Sequence, residues 1–516
     1  MLRARAVQEP AEERGAMGES AAQLRVQLVQ LRPRKGRVED NLARIREVIA
    51  GAAGETELVV LPETILSGYF VEGGVEEVAR TPEEVAEGLG KPPAKAPDLV
   101  LGFYEASPAG VHNSVAWLTP EEGGWRVVHC HRKLFLPTYG VFDESRFVVP
   151  GESLRAFETR FGRVGILVCE EMLHSLVPTL LVLDGAELLV VVAASPARGF
   201  AHSPHGLTGN LERWEVAARA TTQEHGVHLL ICHLVGSEGG KIFPGGSTLH
   251  RPGGELSIRG PLFEEGVVSA VIDRSRVPRF RARSPLLSDL RERLPQLLAP
   301  STAAPTSPAP AILRNDAADG SGPQITMRTP AAPLVLPSPE DRSPLDLDPA
   351  LTERALIRFL RDEVLERRGF RRVVLGVSGG IDSAVALYLA VRALGSENVY
   401  PLFLPYSTSS PRSLADGRLV AEAAGVADQA RVIEITGAVD SYIAGEEATP
   451  SPLRRGNLAA RMRALILWDQ GARLEALPLG TGNKSERLLG YFTWHADDSP
   501  PINPLGDLFK TQVWAL

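Results

Sequence analysis

From about Arg283 to Pro349 the chain turns to proline, alanine and serine, as in the run Ala299-Pro300-Ser301-Thr302-Ala303-Ala304-Pro305-Thr306-Ser307-Pro308-Ala309-Pro310. Little in such a stretch can form a core, so it must separate two segments that each bury their own. At 516 residues the chain is too long for one core in any case. The expected organisation is two α/β domains, 23–282 and 350–516, joined by a linker at 283–349 that carries one short helix at Leu286 to Leu298. Residues 1–22 are charged and rich in Ala and Glu, and they read as a disordered extension in which Met17 is an alternative start to Met1.

The net charge of −8, with both signs mixed along the chain, argues against a nucleic-acid or anionic-membrane surface and leaves small molecules as the expected partners. Three widely spaced cysteines, Cys130, Cys169 and Cys232, suit neither a disulfide framework nor a zinc site, and they fit a reducing compartment. No apolar run reaches membrane-spanning length, so the expected location is the cytoplasm, with no membrane partner.

In the first segment Leu24 to Gln30 alternates as a half-buried strand, Val38 to Ala50 has helical spacing, and Glu57 to Pro62 reads as a strand that ends on Glu63. Further strands are expected at Asp98 to Phe103, Val111 to Leu118 and Trp125 to Cys130. Lys133 follows among apolar residues, and the strand beginning at Gly162 runs into Cys169 at a strand-to-helix corner. A thiol at such a corner is exposed at the strand's end, and the N–H of Glu170 is free to face a developing oxyanion. Taken singly, Lys133 reads as a surface lysine and Cys169 as a core cysteine.

Taken together, Leu61-Pro62-Glu63, His131-Arg132-Lys133, Val168-Cys169-Glu170 and Ala194-Ser195-Pro196 resemble the nitrilase-type carbon–nitrogen hydrolases over roughly residues 24–275. Leu136 to Phe147, followed by Pro150-Gly151, is similar to the glutamine-hydrolysing branch of that family. The resemblance implies an α-β-β-α sandwich with Glu63 as base, Lys133 as fixed positive charge, Cys169 as nucleophile, and glutamine contacts from Tyr139, Glu144 and Ser195. For Glu144 two readings stand side by side: a second carboxylate orienting Lys133 or the substrate amide, and an ion pair with Arg146. The chain departs from the family in having Ala194 before Ser-Pro, and in having His233 two residues before Val-Gly.

The second segment is organised around Val373 to Ala384, a Val-rich strand, a glycine turn and a helix from Ser383 to Leu394 stopped by Gly395. This is a phosphate-binding architecture: Gly379 and Gly380 are expected to take angles closed to other residues, Ser378 and Ser383 offer hydroxyls, and the helix dipole points at the loop. Asp382 would repel a phosphate there, which argues for a divalent cation, Mg2+, between them. No Gly-Lys-Ser/Thr follows, so this is not a Walker loop. Strands at Val399 to Leu404, Ala430 to Ile435 and Glu475 to Leu479 alternate with helices at Arg412 to Ala424 and Leu458 to Gln470. That alternation predicts a doubly wound, Rossmann-like parallel sheet with ligands at the carboxyl ends of its strands.

Ser378-Gly379-Gly380-Ile381-Asp382-Ser383 resembles the loop of the ATP pyrophosphatases. Arg455 to Arg463, Gly480 to Glu486, Gly490 to Thr493 and Leu508 to Val513 are similar to NAD synthetase in order and spacing, and Asp416 also fits. The resemblance implies ATP contacts from Ser378, Gly379, Gly380, Ile381, Asp382, Ser383, Thr481 and Lys510. It assigns Mg2+ to Asp382 and Glu486, and deamido-NAD to Asn457, Arg461, Glu486, Asp497 and Lys510. Arg463 falls at the same site by that resemblance, and read on its own it is a solvated arginine. As a whole the chain resembles the glutamine-dependent NAD(+) synthetase family, which implies a homo-oligomer using glutamine, ATP and deamido-NAD. Two alternatives stay open at this point: another glutamine-dependent ATP pyrophosphatase, or a glutaminase carrying a non-catalytic nucleotide-binding domain. The second rests on Trp494 to Asp498, which lacks the family's glycine, and on an expected truncation at Leu516.

Overall fold

The computed structural model describes residues 23–298, 345–446 and 450–516. The expected N-terminal extension and residues 299–344 of the expected linker lie outside the described residues.

Fourteen strands build the first domain: β1 Gln23–Gln30, β2 Leu58–Val60, β3 Asp98–Ser107, β4 Gly110–Glu121, β5 Gly124–Arg132, β6 Phe157–Thr159, β7 Gly162–Val168, β8 Leu188–Ala193, β9 His228–His233, β10 Val235–Glu238, β11 Lys241–Pro244, β12 Thr248–Arg251, β13 Glu255–Arg259 and β14 Gly266–Asp273. One sheet has the order β14-β1-β2-β3-β4-β5 and the other β13-β12-β9-β8-β7-β6. The two-residue period of a strand divides their side chains. Leu24, Val26 and Leu28 of β1, with Leu58 and Val60 of β2, face Ile166, Val190 and Val192 of the second sheet. Val29 and Val59 point the other way, into the Val38–Ala52 helix through Leu42, Ile45 and Ile49. Helices Leu176–Leu183 and Gly209–His225 cover the second sheet through Leu181, Val182, Trp214 and Ala218, so the layers run α-β-β-α. The β10–β11 ribbon stands apart from both sheets.

The second domain is a four-stranded parallel sheet, β15 Arg372–Gly376, β16 Val399–Phe403, β17 Arg431–Val432 and β18 Ala476–Pro478, in the order β17-β16-β15-β18. Helices lie on both faces: Ile381–Leu394 packs Ala386, Leu387 and Ala390 against Val373 and Leu375, while Leu467 of Pro452–Leu474 packs against Val374 and Leu402.

Three sequence expectations need correction. The strand expected over Ala430 to Ile435 shrinks to two ladder residues. Ile433 and Ile435 still donate to the Phe403 and Pro405 carbonyls, but Pro405 has no N–H to return. The helix expected from Leu458 begins at Pro452, because Ser451 caps it by accepting from the Arg454 N–H and Pro452 is compatible with a first turn. A helix at Thr436–Glu446 was not anticipated.

The helix Pro349–Arg361, which continues as a π-helix over Asp362–Arg367, is seated on the first domain. Leu351 and Ala355 join Leu207, Leu211, Leu262 and Phe263 in one apolar cluster. Arg354 lies 5.6 Å over the Phe263 ring and donates to the Leu262 carbonyl. The buried Asp362 accepts from Arg32 at 2.7 Å, from Arg358 at 3.0 Å, and from the Ser237 N–H. Among the described residues no helix is long and apolar enough to cross a membrane.

Candidate active sites

In the first domain three residues far apart in sequence are delivered by three sheet ends. Pro62 cannot extend the β2 ladder, and the chain turns so tightly that the Glu63 Cα lies 2.6 Å from where a Cβ on Gly102 would stand. Only glycine fits at 102 in β3. Lys133 follows β5, and Cys169 follows β7 with φ of 47°, a left-handed conformation that costs a non-glycine residue about 1–3 kcal/mol. Thr64, next to Glu63, has φ of 48°.

The Lys133 ammonium is fully buried and donates to Glu63 Oε1 at 2.9 Å and to Glu144 Oε2 at 2.8 Å. Glu144 therefore belongs to the lysine. Arg146, the rival partner, lies near Asp143 instead, at 3.8 Å. Asn113 Nδ2 donates to Glu63 Oε1 at 2.8 Å and to Glu144 Oε1 at 2.5 Å. The Ala194 N–H donates to Glu63 Oε2 at 2.6 Å and also faces the Cys169 sulfur. This contact is made by the peptide, so a side chain other than asparagine at 194 leaves it intact.

Burial disfavours the charge on Lys133, but the Glu144 and Glu63 carboxylates outweigh it and hold the amine well above its ordinary range. Burial, then the neighbouring Glu63, pushes the Cys169 thiol well up against the pull of Lys133 and the Ala194 N–H. Cys169 therefore rests as a thiol and needs a base when substrate arrives.

A second set of contacts ties nucleophile to lysine. Glu171, fully buried, accepts from the Val168 N–H and the Leu134 N–H at 2.7 Å each, and it meets His131 Nε2 at 2.9 Å. Tyr139 stands at the rim and donates to Glu170 Oε2 at 2.7 Å. Ser195 lies on another wall, where its hydroxyl oxygen accepts from Asn210 at 3.1 Å and Trp214 at 3.3 Å. Sequence reasoning missed Asn113, Glu171, His131 and the Glu170 side chain. The signal for Asn113 was a polar His112-Asn113-Ser114 triplet inside an otherwise apolar strand.

In the second domain a cleft of about 720 Å³ opens at the carboxyl ends of β15 and β16. It is lined by Ser378, Ser409, Ser413, Arg463, Thr481 and Asp497 together with apolar residues. Gly379 has φ of 84°, and a Cβ there would stand 2.3 Å from the Ser413 carbonyl oxygen, so the loop requires glycine at that position. Gly380, expected to share that freedom, has an ordinary φ of −87°. Ser383 is spent on the loop itself: its hydroxyl accepts from the Ser378 N–H and donates to the Gly380 carbonyl. Ile381 opens the helix.

Asp382 accepts from Asn483 Nδ2 at 3.0 Å and from the Lys510 ammonium. Asn483, fully buried, also forms a reciprocal cap with Glu486, so one residue positions both carboxylates, Asp382 through its side chain and Glu486 through its main-chain N–H. Among the described residues no group of three or more His, Cys, Asp or Glu could hold a metal ion. Two carboxylates fit a Mg2+ that keeps waters and takes phosphate oxygens.

The two arginines expected at the deamido-NAD site part company. Arg461 is exposed and donates to the Trp494 carbonyl, whereas Arg463 lines the cleft, donates to the Leu404 carbonyl at 2.9 Å and is lowered by burial. Asn457 accepts from the Thr493 hydroxyl, and Asp497 from the Thr493 N–H. Asp416 pairs with Arg412 on an exposed helix face.

A family model described as carbon-nitrogen hydrolase matches residues 25–282, and one described as NAD synthase matches residues 352–516. A curated glutamine-dependent NAD(+) synthetase of Rhodobacter capsulatus is 31% identical over 95% of this chain and 77% of its own length. The NH(3)-dependent NAD(+) synthetase of Chlorobium phaeobacteroides (strain BS1) is 49% identical over 33% of this chain, which spans 61% of that relative's length. A solved glutamine-dependent NAD+ synthetase from Acinetobacter baumannii, in complex with ADP, superposes with a TM-score of 0.73 at 24% identity. That match covers 96% of this chain and 81% of the other.

Proposed function

The chain belongs to the glutamine-dependent NAD(+) synthetase family, and from that premise we propose that it amidates deamido-NAD with ammonia taken from glutamine, consuming ATP. The observation that carries the reading is the buried Glu63–Lys133–Glu144 cluster next to a strained Cys169, on the same chain as a glycine-loop nucleotide cleft.

In the first site Glu63 takes the thiol proton as the Cys169 sulfur bonds to the glutamine carboxamide carbon. Lys133 and the Glu170 N–H face the oxyanion. Collapse breaks the C–N bond, Glu63 returns the proton to the leaving amine, and ammonia departs from a thioester. Water, deprotonated by Glu63, then attacks the thioester carbon; the C–S bond breaks, glutamate leaves, and Glu63 returns the proton to the Cys169 sulfur.

In the second site the loop from Ser378 to Ser383 receives the ATP phosphates, with Thr481 and Lys510 beside them. A Mg2+ held at Asp382 and Glu486 would neutralise phosphate charge. The nicotinate carboxylate oxygen attacks the α-phosphorus and pyrophosphate leaves; ammonia then attacks the adenylated carbonyl and AMP leaves. No side chain acts as nucleophile there, so positioning carries the step. Asn457, Arg463 and Asp497 are the side chains around the cleft proposed to receive deamido-NAD. A cytoplasmic homo-oligomer is the form in which we propose it works.

The test is formation of NAD(+) and AMP from ATP, Mg2+ and deamido-NAD, with glutamine or an ammonium salt as nitrogen source. The native chain is expected to use both, and Cys169→Ala ammonium alone. Glutamine hydrolysis by the native chain without NAD(+) from either source would refute the synthetase half. NAD(+) from ammonium alone in the native chain would refute the glutaminase half.

A further inference from the structure

Resting on the amide-hydrolysis reading of the first site, we propose that Asn113 is a positioning residue for that reaction: its side-chain amide clips Glu63 and Glu144 together and selects the Glu63 oxygen that serves Cys169. Asn113 sits in β4, completely buried. One nitrogen supplies both of its donated bonds, to Glu63 Oε1 at 2.8 Å and to Glu144 Oε1 at 2.5 Å, and its main-chain oxygen accepts from the Lys133 N–H at 2.9 Å. A single residue thus touches base, second carboxylate and lysine.

The consequence for Glu63 follows from counting acceptor sites. Oε1 receives Lys133 and Asn113, which fills both of its lone pairs. Among the described residues Oε2 receives only the Ala194 N–H, the same N–H that faces the Cys169 sulfur. The oxygen with capacity left is therefore the one turned to the nucleophile. Without the Asn113 donor, Oε1 would have equal capacity and the carboxylate could rotate.

The residue type also matters. Two carboxylates share one ammonium here, so a neutral double donor holds them without adding charge. Serine offers one donor, leucine none, and aspartate would bring a third negative group. Asn113 Oδ1 is buried with no partner among the described residues. Rotating the amide to satisfy that oxygen would sacrifice two bonds to charged groups, each stronger than the one gained.

The test uses the full chain with Asn113→Leu, Asn113→Asp and Asn113→Ser. Two rates are followed between about pH 6 and 9: iodoacetamide alkylation of the Cys169 peptide, which needs no substrate, and glutamine hydrolysis. Circular dichroism melting reports folding. Expected are kcat losses of about 100-fold for Leu and more for Asp with KM within about threefold, an acid limb displaced to higher pH, slower alkylation, and Ser between native and Leu. If Leu and Asp melt like the native chain and keep its kcat and alkylation profile, the proposal is overturned. If they do not fold, Ser decides, and a Ser variant that folds with native rates overturns it equally. Altered alkylation profiles in a chain that hydrolyses no glutamine would sink the amide-hydrolysis reading and leave the role of Asn113 standing.

Discussion

Replacing Glu171 by glutamine keeps the shape of the side chain and removes its charge. In the native fold both carboxylate oxygens are committed: Oε1 to the Leu134 N–H at 2.7 Å and Oε2 to the Val168 N–H at 2.7 Å, with His131 Nε2 shared between them. Whichever way the new amide turns, its NH2 group meets one of those two peptide N–H groups, so a buried donor faces a donor. A lost charge-assisted bond is worth about 1.5–3 kcal/mol and a stranded buried donor about 1–3 kcal/mol, which puts the expected loss of stability at about 2.5–6 kcal/mol. Burial opposes the Glu171 charge, but His131 and the two peptide N–H groups hold its carboxyl below the ordinary range. The stabilisation is thus fully present above the unfolded carboxyl's pKa and fades as pH falls through the folded value, so the variant's deficit should be largest near neutrality and shrink in acid. Leu134 and Val168 adjoin Lys133 and Cys169, and loosening that tie by about 1 Å should lower kcat for glutamine about 100-fold. Urea unfolding at neutral and acid pH, with glutamine hydrolysis, measures both effects. An unchanged unfolding midpoint with kcat within twofold of native would refute the reasoning.

Three further outcomes are expected. Gly379→Ala forces a Cβ to 2.3 Å from the Ser413 carbonyl, and it should abolish ATP-dependent NAD(+) formation from either nitrogen source while glutamine hydrolysis persists. Retained synthesis would show that the loop can shift. Burial lowers His228 and His250 to about 4 and His233 to about 3. The unfolded chain, protonating near the ordinary value of about 6.5, then binds up to three more protons between about pH 6.5 and 4, and stability should fall with pH at up to about 4 kcal/mol per unit. A flat dependence of urea midpoint on pH in that window would contradict this. Asp362→Ala leaves Arg32 and Arg358 without their shared buried carboxylate and should cost about 3–5 kcal/mol, read as an earlier melting transition; an unchanged transition would show that the arginines find solvent instead.

Much of this fold was legible because its strands obey simple periods. Leu24 to Gln30 and Val373 to Gly376 could be placed from alternation and from an apolar run, and Glu63, Lys133 and Cys169 each lay where a strand pattern stopped. The less legible parts depend on partners remote in sequence. Nothing near Asn113 announces that Glu63 and Glu144 converge on it, because that meeting is made by strand order in the sheet. Gly102 looks like any strand glycine until the Glu63 turn is packed against it. Arg461 and Arg463 share a helix and a charge, and only the face that this helix turns to the sheet decides which one enters the cleft. Gly380 illustrates the opposite error, since a glycine pair suggests two unusual conformations and the turn needs one.

The helix Pro349–Arg361 and the turn that follows it are shared between the two bodies: Leu351, Ala355 and Asp362 complete the surface of the first domain, while Leu360 and Val364 sit in the core of the second with Val373 and Leu387. A cut before Pro349 would strip Leu262 and Phe263 of their cover and leave Arg32 without its counter-charge. A cut after Arg368 would take Leu360 and Val364 out of the second core. An engineer who wished to exchange either body would therefore find a dovetail rather than a seam, because a break on either side of this helix uncovers apolar surface.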